Sequence, residues 1–392
     1  LIRLGILINI NNHKMKRFNI VFASFLILCI QCQNSTDNSI GIKWSKEKAW
    51  EWHKENGWMV GTNFNPSTAI NQLEFFQEAT FDIETIDREL GWSADLGMNL
   101  HRVYLHNLLW NQDSIGFINR LEQYLKISEK YKIKTMFVLL DDVWDPLPKL
   151  GIQPEPIPFV HNSGWVQAPG AKILGDSLRH YELKNYIKGV VQHFANDKRV
   201  VAWDLYNEPD NVANNEGRAE FEVQDKHIYS YSLIKKVVRW VREVNPSQPV
   251  TMGLWKGDHT IWGKSNKLRP LERFMVQNSD VISFHSYDGP KVTAEKIEAL
   301  KNYQRPILCT EYLARTNGST FKEILPLFEE NQISAMNWGF VAGKTNTIFP
   351  WSSWTKKFDS MPKVWHHDIY RPDKSPFSKQ EISFLKSMLL NN

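Results

Sequence analysis

The chain has 392 residues, with 47 Lys and Arg against 43 Asp and Glu, a formal net charge of +4, and three cysteines. Arg3, Lys14, Lys16 and Arg17 supply that excess, because no acidic residue precedes residue 33; the remainder is balanced, which argues against a nucleic-acid partner. Cys29 and Cys32 lie in the amino-terminal apolar run, so Cys309 stands alone beyond it and no disulfide framework can hold the fold.

Met15-Lys16-Arg17 followed by the apolar run 18–30 has the charged and apolar regions of an export signal, too short to span a bilayer comfortably. Residues 1–14 then read as translated upstream sequence, 15–32 as the signal, 33–45 as a linker and 46–392 as the catalytic domain. The polar stretch after Cys32 leaves two readings open, an acylated lipoprotein with a membrane anchor at Cys32 or plain secretion by a bacterium. From there, short apolar β-branched runs alternate with helical patterns, the signature of βα units on a parallel sheet. Strands are expected at 58–62, 100–105, 135–140, 200–206, 249–254, 281–284, 306–310 and 334–338. Helices are expected near 85–96, 114–131, 183–196, 228–244, 271–277, 294–302, 320–331 and 379–390. Eight of each predicts an α/β fold, a single-domain (β/α)8 TIM barrel, expected as a monomer. The segments from Asp141 to about 180 and from Gly339 to about 377 are too long for plain connections and are expected to shape the site.

Two strand ends deliver carboxylates. Trp203-Asp204-Leu205-Tyr206-Asn207-Glu208-Pro209 ends the fourth strand, and Thr310-Glu311-Tyr312 ends the seventh. Two such groups about 5–5.5 Å apart allow one to protonate a leaving oxygen and the other to attack the anomeric carbon. So close together, they cannot both ionise cheaply, and an arginine beside one of them would decide which stays charged. Cys309, two residues before Glu311, is expected on the same inward strand face as a small buried hydrophobe.

These motifs, with Gly97-Met98-Asn99-Leu100-His101-Arg102-Val103, His285-Ser286-Tyr287 and Trp338, resemble clan A glycoside hydrolases of family 5, and the catalytic barrels of family 2 look about as close. The resemblance implies a retaining glycoside hydrolase on a β-linked polysaccharide or oligosaccharide, with an endo-acting β-1,4-glycanase favoured (xylanase, mannanase or glucanase). It implies Glu208 as acid/base and Glu311 as nucleophile, with Arg102 steadying Glu311, Asn207 donating to the sugar 2-hydroxyl, His285 and Tyr287 lining the subsite, and Trp338 as an aromatic floor. The third strand departs from the family in ending Asp141-Asp142-Val143-Trp144; Asp141 is expected to touch sugar hydroxyls and Trp144 to offer a platform. No cofactor and no metal are expected. His366-His367-Asp368 reads as a surface or structural element, and strand 1 lacks the inward histidine pair of barrel metallohydrolases. A transglycosylase using the same carboxylates and a carbohydrate-binding pseudoenzyme are the other readings.

Overall fold

In a computed structural model of the protein, residues 41–213 and 218–390 are described. The export signal, Cys32 and the upstream segment lie outside the described residues, among which no helix is long and apolar enough to cross a membrane. The unit begins at Gly41 rather than Lys46. Residues expected as the end of a linker are tied down, since the Gly41 N–H donates to Arg242 O at 2.8 Å and the Trp44 N–H to Asp280 Oδ1 at 2.8 Å.

Eight parallel strands form one sheet: β1 (Val60–Asn63), β2 (Leu100–Tyr104), β3 (Lys134–Val138), β4 (Val200–Asp204), β5 (Val250–Thr251), β6 (Ile282–His285), β7 (Ile307–Tyr312) and β8 (Ser334–Trp338). β1 pairs with both β2 and β8, so the sheet curls into a barrel. The remaining seam lies between β5 and β6, where β5 is shorter than expected. Individual bonds bridge it: the Asp280 N–H donates to Val250 O at 2.8 Å, the Leu254 N–H to Ser283 O at 3.0 Å, and the His285 N–H to Leu254 O at 2.9 Å. Thr251 Oγ1 adds a bond to Val281 O at 2.9 Å. This is a (β/α)8 barrel.

The main helices are α1 (Lys46–Asn56), α2 (Ile83–Asp95), α3 (Asn107–Lys130), α4 (Lys184–His193), α5 (Lys226–Val244), α6 (Pro270–Asn278), α7 (Pro290–Lys301), α8 (Phe321–Glu330) and α9 (Lys379–Leu389). α3 starts earlier than expected and breaks at Asp113, whose carboxylate caps the N–H of Gly116. α2 to α9 pack their apolar faces on the outward strand residues, such as Val103, Phe137, Trp203 and Phe284, in one continuous cluster. Inside the barrel, a second cluster of Met59, Leu100, Met136, Ala202, Leu308 and Met336 fills the amino-terminal end. Trp44 and Trp52 close it from below, with Trp52 Nε1 donating to Val201 O at 3.1 Å. With that end plugged by apolar packing, the polar inward residues concentrate at the carboxyl ends of the strands, where barrels carry their chemistry.

β7 holds an irregularity that re-aims its last residues. Phe284 pairs with Cys309 but His285 pairs with Glu311, so Thr310 is an extra residue on β7. Such a bulge shifts the in-and-out alternation by one position. Cys309 therefore packs outward in the sheet–helix layer while Glu311 faces the barrel mouth, which corrects the expectation that both share one inward face. Cys309 is fully buried, and burial pushes its thiol far above the usual range, so it serves as packing.

Candidate active site

Arg102 and Tyr104 alternate inward on β2, and the guanidinium of Arg102 is the hub beneath the barrel mouth. It is wholly buried. Its Nε and Nη2 donate to Asp204 Oδ2 at 3.1 and 2.8 Å, Nη2 to Asn207 Oδ1 at 2.7 Å, and Nη1 to Asn63 Oδ1 and Glu311 Oε1, both at 2.8 Å. A buried cation is tolerated only when paired and hydrogen-bonded in this way. Two carboxylates and two amide oxygens meet that need.

Glu311 takes a donor on each oxygen. Oε1 accepts from Arg102 and from the Tyr104 hydroxyl at 2.6 Å, and Oε2 accepts from the Tyr287 hydroxyl at 2.7 Å. Burial pushes its carboxyl pKa up, but the charges of His285 and Arg102 and the two phenols outweigh it and hold Glu311 below the ordinary carboxylate value. Burial, and after it the charge on Glu311, pushes the Tyr287 phenol well above its usual range, so it keeps its proton and only donates. Glu311 is therefore an oriented anion.

Glu208 follows β4 on a backbone with φ +41°, the left-handed region that a side-chain-bearing residue seldom adopts. That turn raises its carboxylate to the opposite wall. Oε1 lies 2.8 Å from His285 Nδ1, and Oε2 accepts from Asn211 Nδ2 at 2.6 Å. The same Nδ1 is 3.5 Å from Glu311 Oε2, which places His285 between the two carboxylates. An oxygen of Glu208, an oxygen of Glu311 and a His285 nitrogen all lie within 4.8 Å of one another. That spacing would also suit a metal ion, but the guanidinium 2.8 Å from Glu311 Oε1 already supplies the positive charge. The donor set fits a lone anion better than a divalent cation.

Above the carboxylates opens a cleft of about 300 Å³, walled by Trp144, Trp165, Trp255, Trp338 and Trp351 among others. The two long loops build most of its wall and are bonded to each other. The Asn162 N–H donates to Thr345 O at 2.7 Å, the His161 N–H to Ser353 Oγ at 2.9 Å, and His161 Nδ1 lies 2.8 Å from Phe349 O. Trp338 at the end of β8 meets Tyr104 and Trp165 edge to face, both at 5.7 Å between centroids, which sets its ring as a firm surface.

The family model for cellulases of glycosyl hydrolase family 5 matches residues 94–344, more than half of the chain. The chain belongs to glycosyl hydrolase family 5. The fold is similar to an endo-1,4-β-D-mannanase from Thermotoga petrophila at 14% identity and TM-score 0.52, covering 84% of this chain and 99% of that one. An exo-β-1,4-mannosidase from Opitutaceae bacterium strain TAV5 matches at 14% identity and TM-score 0.53, covering 85% of this chain and 60% of that one. A subfamily 18 protein of family 5 from Streptomyces cattleya, in complex with GlcNAc, matches at 10% identity and TM-score 0.54, covering 86% and 80%. At these identities the likeness is one of fold. No curated protein matches the chain in sequence.

For this family 5 chain, the structure brings Glu208, Glu311, Asn207, His285, Tyr287, Trp338 and Trp144 to one cleft. Two residues grouped with the substrate-binding set stand elsewhere. Arg102 lies under Glu311 with no exposed surface, so it can reach a sugar only through that carboxylate. Asp141 is likewise fully buried beneath the cleft. It accepts from Trp165 Nε1 at 2.7 Å, Asn207 Nδ2 at 2.9 Å and the Val143 N–H at 3.1 Å, so its acceptor capacity goes to the scaffold. His366 and His367 are not on the surface: both are buried, and His367 borders the cleft. Tyr104, His161, Asn211, Trp255, Trp351 and His367 escaped the sequence reading. Tyr104 alone carried a signal, lying two residues after Arg102 and hence on the same strand face.

Burial also leaves a family of histidines below their ordinary value of 6.5: His101, His106 and His366 at about 3 and His161 at about 4. An unfolded chain binds protons at these sites from about pH 6.5 downward while the folded chain refuses them until about pH 3–4. Their contribution is whole above about pH 6.5 and is lost as pH falls toward the folded values, on the order of 1 kcal/mol per histidine per pH unit. The melting temperature should fall steadily between about pH 6 and pH 4. Calorimetry giving a flat Tm across that range would contradict the burial of these rings.

Proposed function

We propose that this family 5 protein is a retaining glycoside hydrolase that cleaves a β-linked glycan by double displacement, with Glu311 as nucleophile and Glu208 as acid/base. The spacing of the carboxylates carries the reading. An approach within 4.8 Å leaves no room for a water between Glu311 and a bound sugar, as an inverting arrangement of about 6.5–9.5 Å would require. In the first step a Glu311 oxygen bonds the anomeric carbon as the glycosidic bond breaks, and the proton on Glu208 goes to the leaving oxygen. In the second, Glu208 takes a proton from water, which attacks the same carbon and releases Glu311. Arg102, Tyr104 and Tyr287 hold the nucleophile in one orientation throughout.

The amide of Asn207 is fixed in sense, because Arg102 can only donate to its oxygen and Asp141 accepts from its nitrogen. Its second N–H is left for the sugar 2-hydroxyl, a bond that strengthens as positive charge develops on the ring. A β-1,4-linked backbone of the mannan, xylan or glucan kind, cut internally, is the substrate we propose; the tryptophan-walled cleft and the named mannan-active folds support it. Export to the cell exterior, with or without a lipid anchor at Cys32, belongs to the same proposal. Proton NMR of the first-formed product, taken before mutarotation, should show the β-anomer from a β-linked oligosaccharide. Release of the α-anomer first would rule out double displacement on Glu311.

A further inference from the structure

Three buried imidazoles, His161, His366 and His367, pack together where the two long loops meet, with ring centroids 5.3 Å apart for His161 and His367 and 4.2 Å for His366 and His367. Each spends Nδ1 on a fixed partner: Phe349 O for His161, Leu313 O for His367 and the Thr316 hydroxyl for His366. A carbonyl can only accept, so Nδ1 of His161 and of His367 must carry the hydrogen. Nε2 of each neutral ring is then a bare lone pair. No protein group among the described residues takes either one, and that of His367 is buried without a partner. Both rings border the cleft. The His367 ring lies 5.6 Å from that of Tyr287, whose hydroxyl holds the nucleophile, and Trp351 packs edge-on against both histidines. The cluster does not bring its nitrogens close enough to hold a metal ion, which among the described residues only Glu208, His285 and Glu311 do.

Resting on the hydrolase reading above, we propose that His161 and His367 form a hydroxyl-accepting wall that makes the site take neutral sugar rings and turn away uronic acids. A neutral sugar brings hydroxyl donors to those lone pairs and satisfies a buried acceptor. A uronic carboxylate has no hydrogen to give, and it would meet lone pairs where it needs a cation. The one Lys or Arg bordering the cleft among the described residues, Lys296, is committed, donating to Asp288 Oδ2 at 2.6 Å, His285 O at 3.2 Å and Ser286 Oγ at 3.3 Å. Burial holds both rings neutral, His161 at about 4 and His367 well below its ordinary value, and the charges of His366 and Arg315 add to this for His367.

The test compares wild type with His367→Asn, which keeps an N–H near Nδ1 but loses the acceptor, and His367→Gln, which returns an oxygen near Nε2. The probes are defined neutral manno-, xylo- and cello-oligosaccharides, monodeoxy forms of the best of them, and the matching uronic-acid glycosides. The Asn variant should lose about 10-fold in kcat/KM on the best neutral substrate, the size of one neutral hydrogen bond, and the Gln variant should regain most of it. One monodeoxy substrate should cost wild type a similar factor and the Asn variant nothing further, while uronides should run at least about 100-fold slower on wild type. Full activity in the Asn variant, equal deoxy penalties on both proteins, or preferred turnover of uronides would overturn the proposal. Should wild type turn over none of the probes, the hydrolase reading fails. The histidine wall is then judged alone by calorimetric binding of the neutral sugars to Glu311→Ala with and without His367→Asn, where equal affinities overturn it.

Discussion

Glu311→Ala is expected to abolish turnover, with kcat falling by about 10,000-fold or more, as when a member of an interdependent catalytic set is removed. The geometry gives the reason. Glu311 is the carboxylate that Arg102, Tyr104 and Tyr287 fix as an anion facing the cleft. Its nearest carboxylate neighbour, Glu208, is turned toward His285 and Asn211 on the other wall and has no such set of donors. The other nearby acids, Asp141 and Asp204, are buried beneath and cannot reach a sugar carbon. Initial rates on the best oligosaccharide, with circular dichroism confirming a folded variant, measure the effect. Near-native rates in the alanine variant would mean that another group forms the covalent bond.

Glu208→Ala should behave differently, because the acid matters in proportion to how poorly the aglycone departs. On natural linkages the loss should be about 100- to 10,000-fold, the usual contribution of a positioned general acid. On aryl glycosides with a strongly acidic phenol, the first step needs no proton and should survive. Hydrolysis of the glycosyl-enzyme then becomes limiting, since water has lost its base. A small anion such as azide, which needs no deprotonation, should restore turnover through the space left by the side chain and yield a β-glycosyl azide. Equal losses on both substrate types without rescue would remove Glu208 from the acid/base role.

The barrel was legible because each strand announces itself locally, as a short β-branched run followed by a helical pattern. The two glutamates were legible for the same reason, since each sits in a compact motif at a strand end. What escaped depends on parity or on chain reversal. One extra residue at Thr310 inverted the facing of Cys309 relative to Glu311, and a bulge leaves no mark in composition. α1 went unrecognised because it buries little beyond Ala49 and Trp52, too sparse a pattern for an amphipathic stripe. Asp141 reads as a cleft residue by position, yet the loop beyond it returns at Ala168 to pair with it, and Trp165 covers it. His161 and His367 lie in irregular segments far apart along the chain, and only the folded loops make them neighbours.

That meeting of loops constrains how such a barrel can change. Asn162 is bonded to Thr345, and His161 to Ser353 and Phe349, so each loop is a template for the backbone of the other. A chimera importing one of them from a relative would strand buried donors on the loop left behind. Inherited variation in the two segments should therefore come as matched pairs, and recombination that respects the pair is the practical route to grafting a new specificity onto this scaffold.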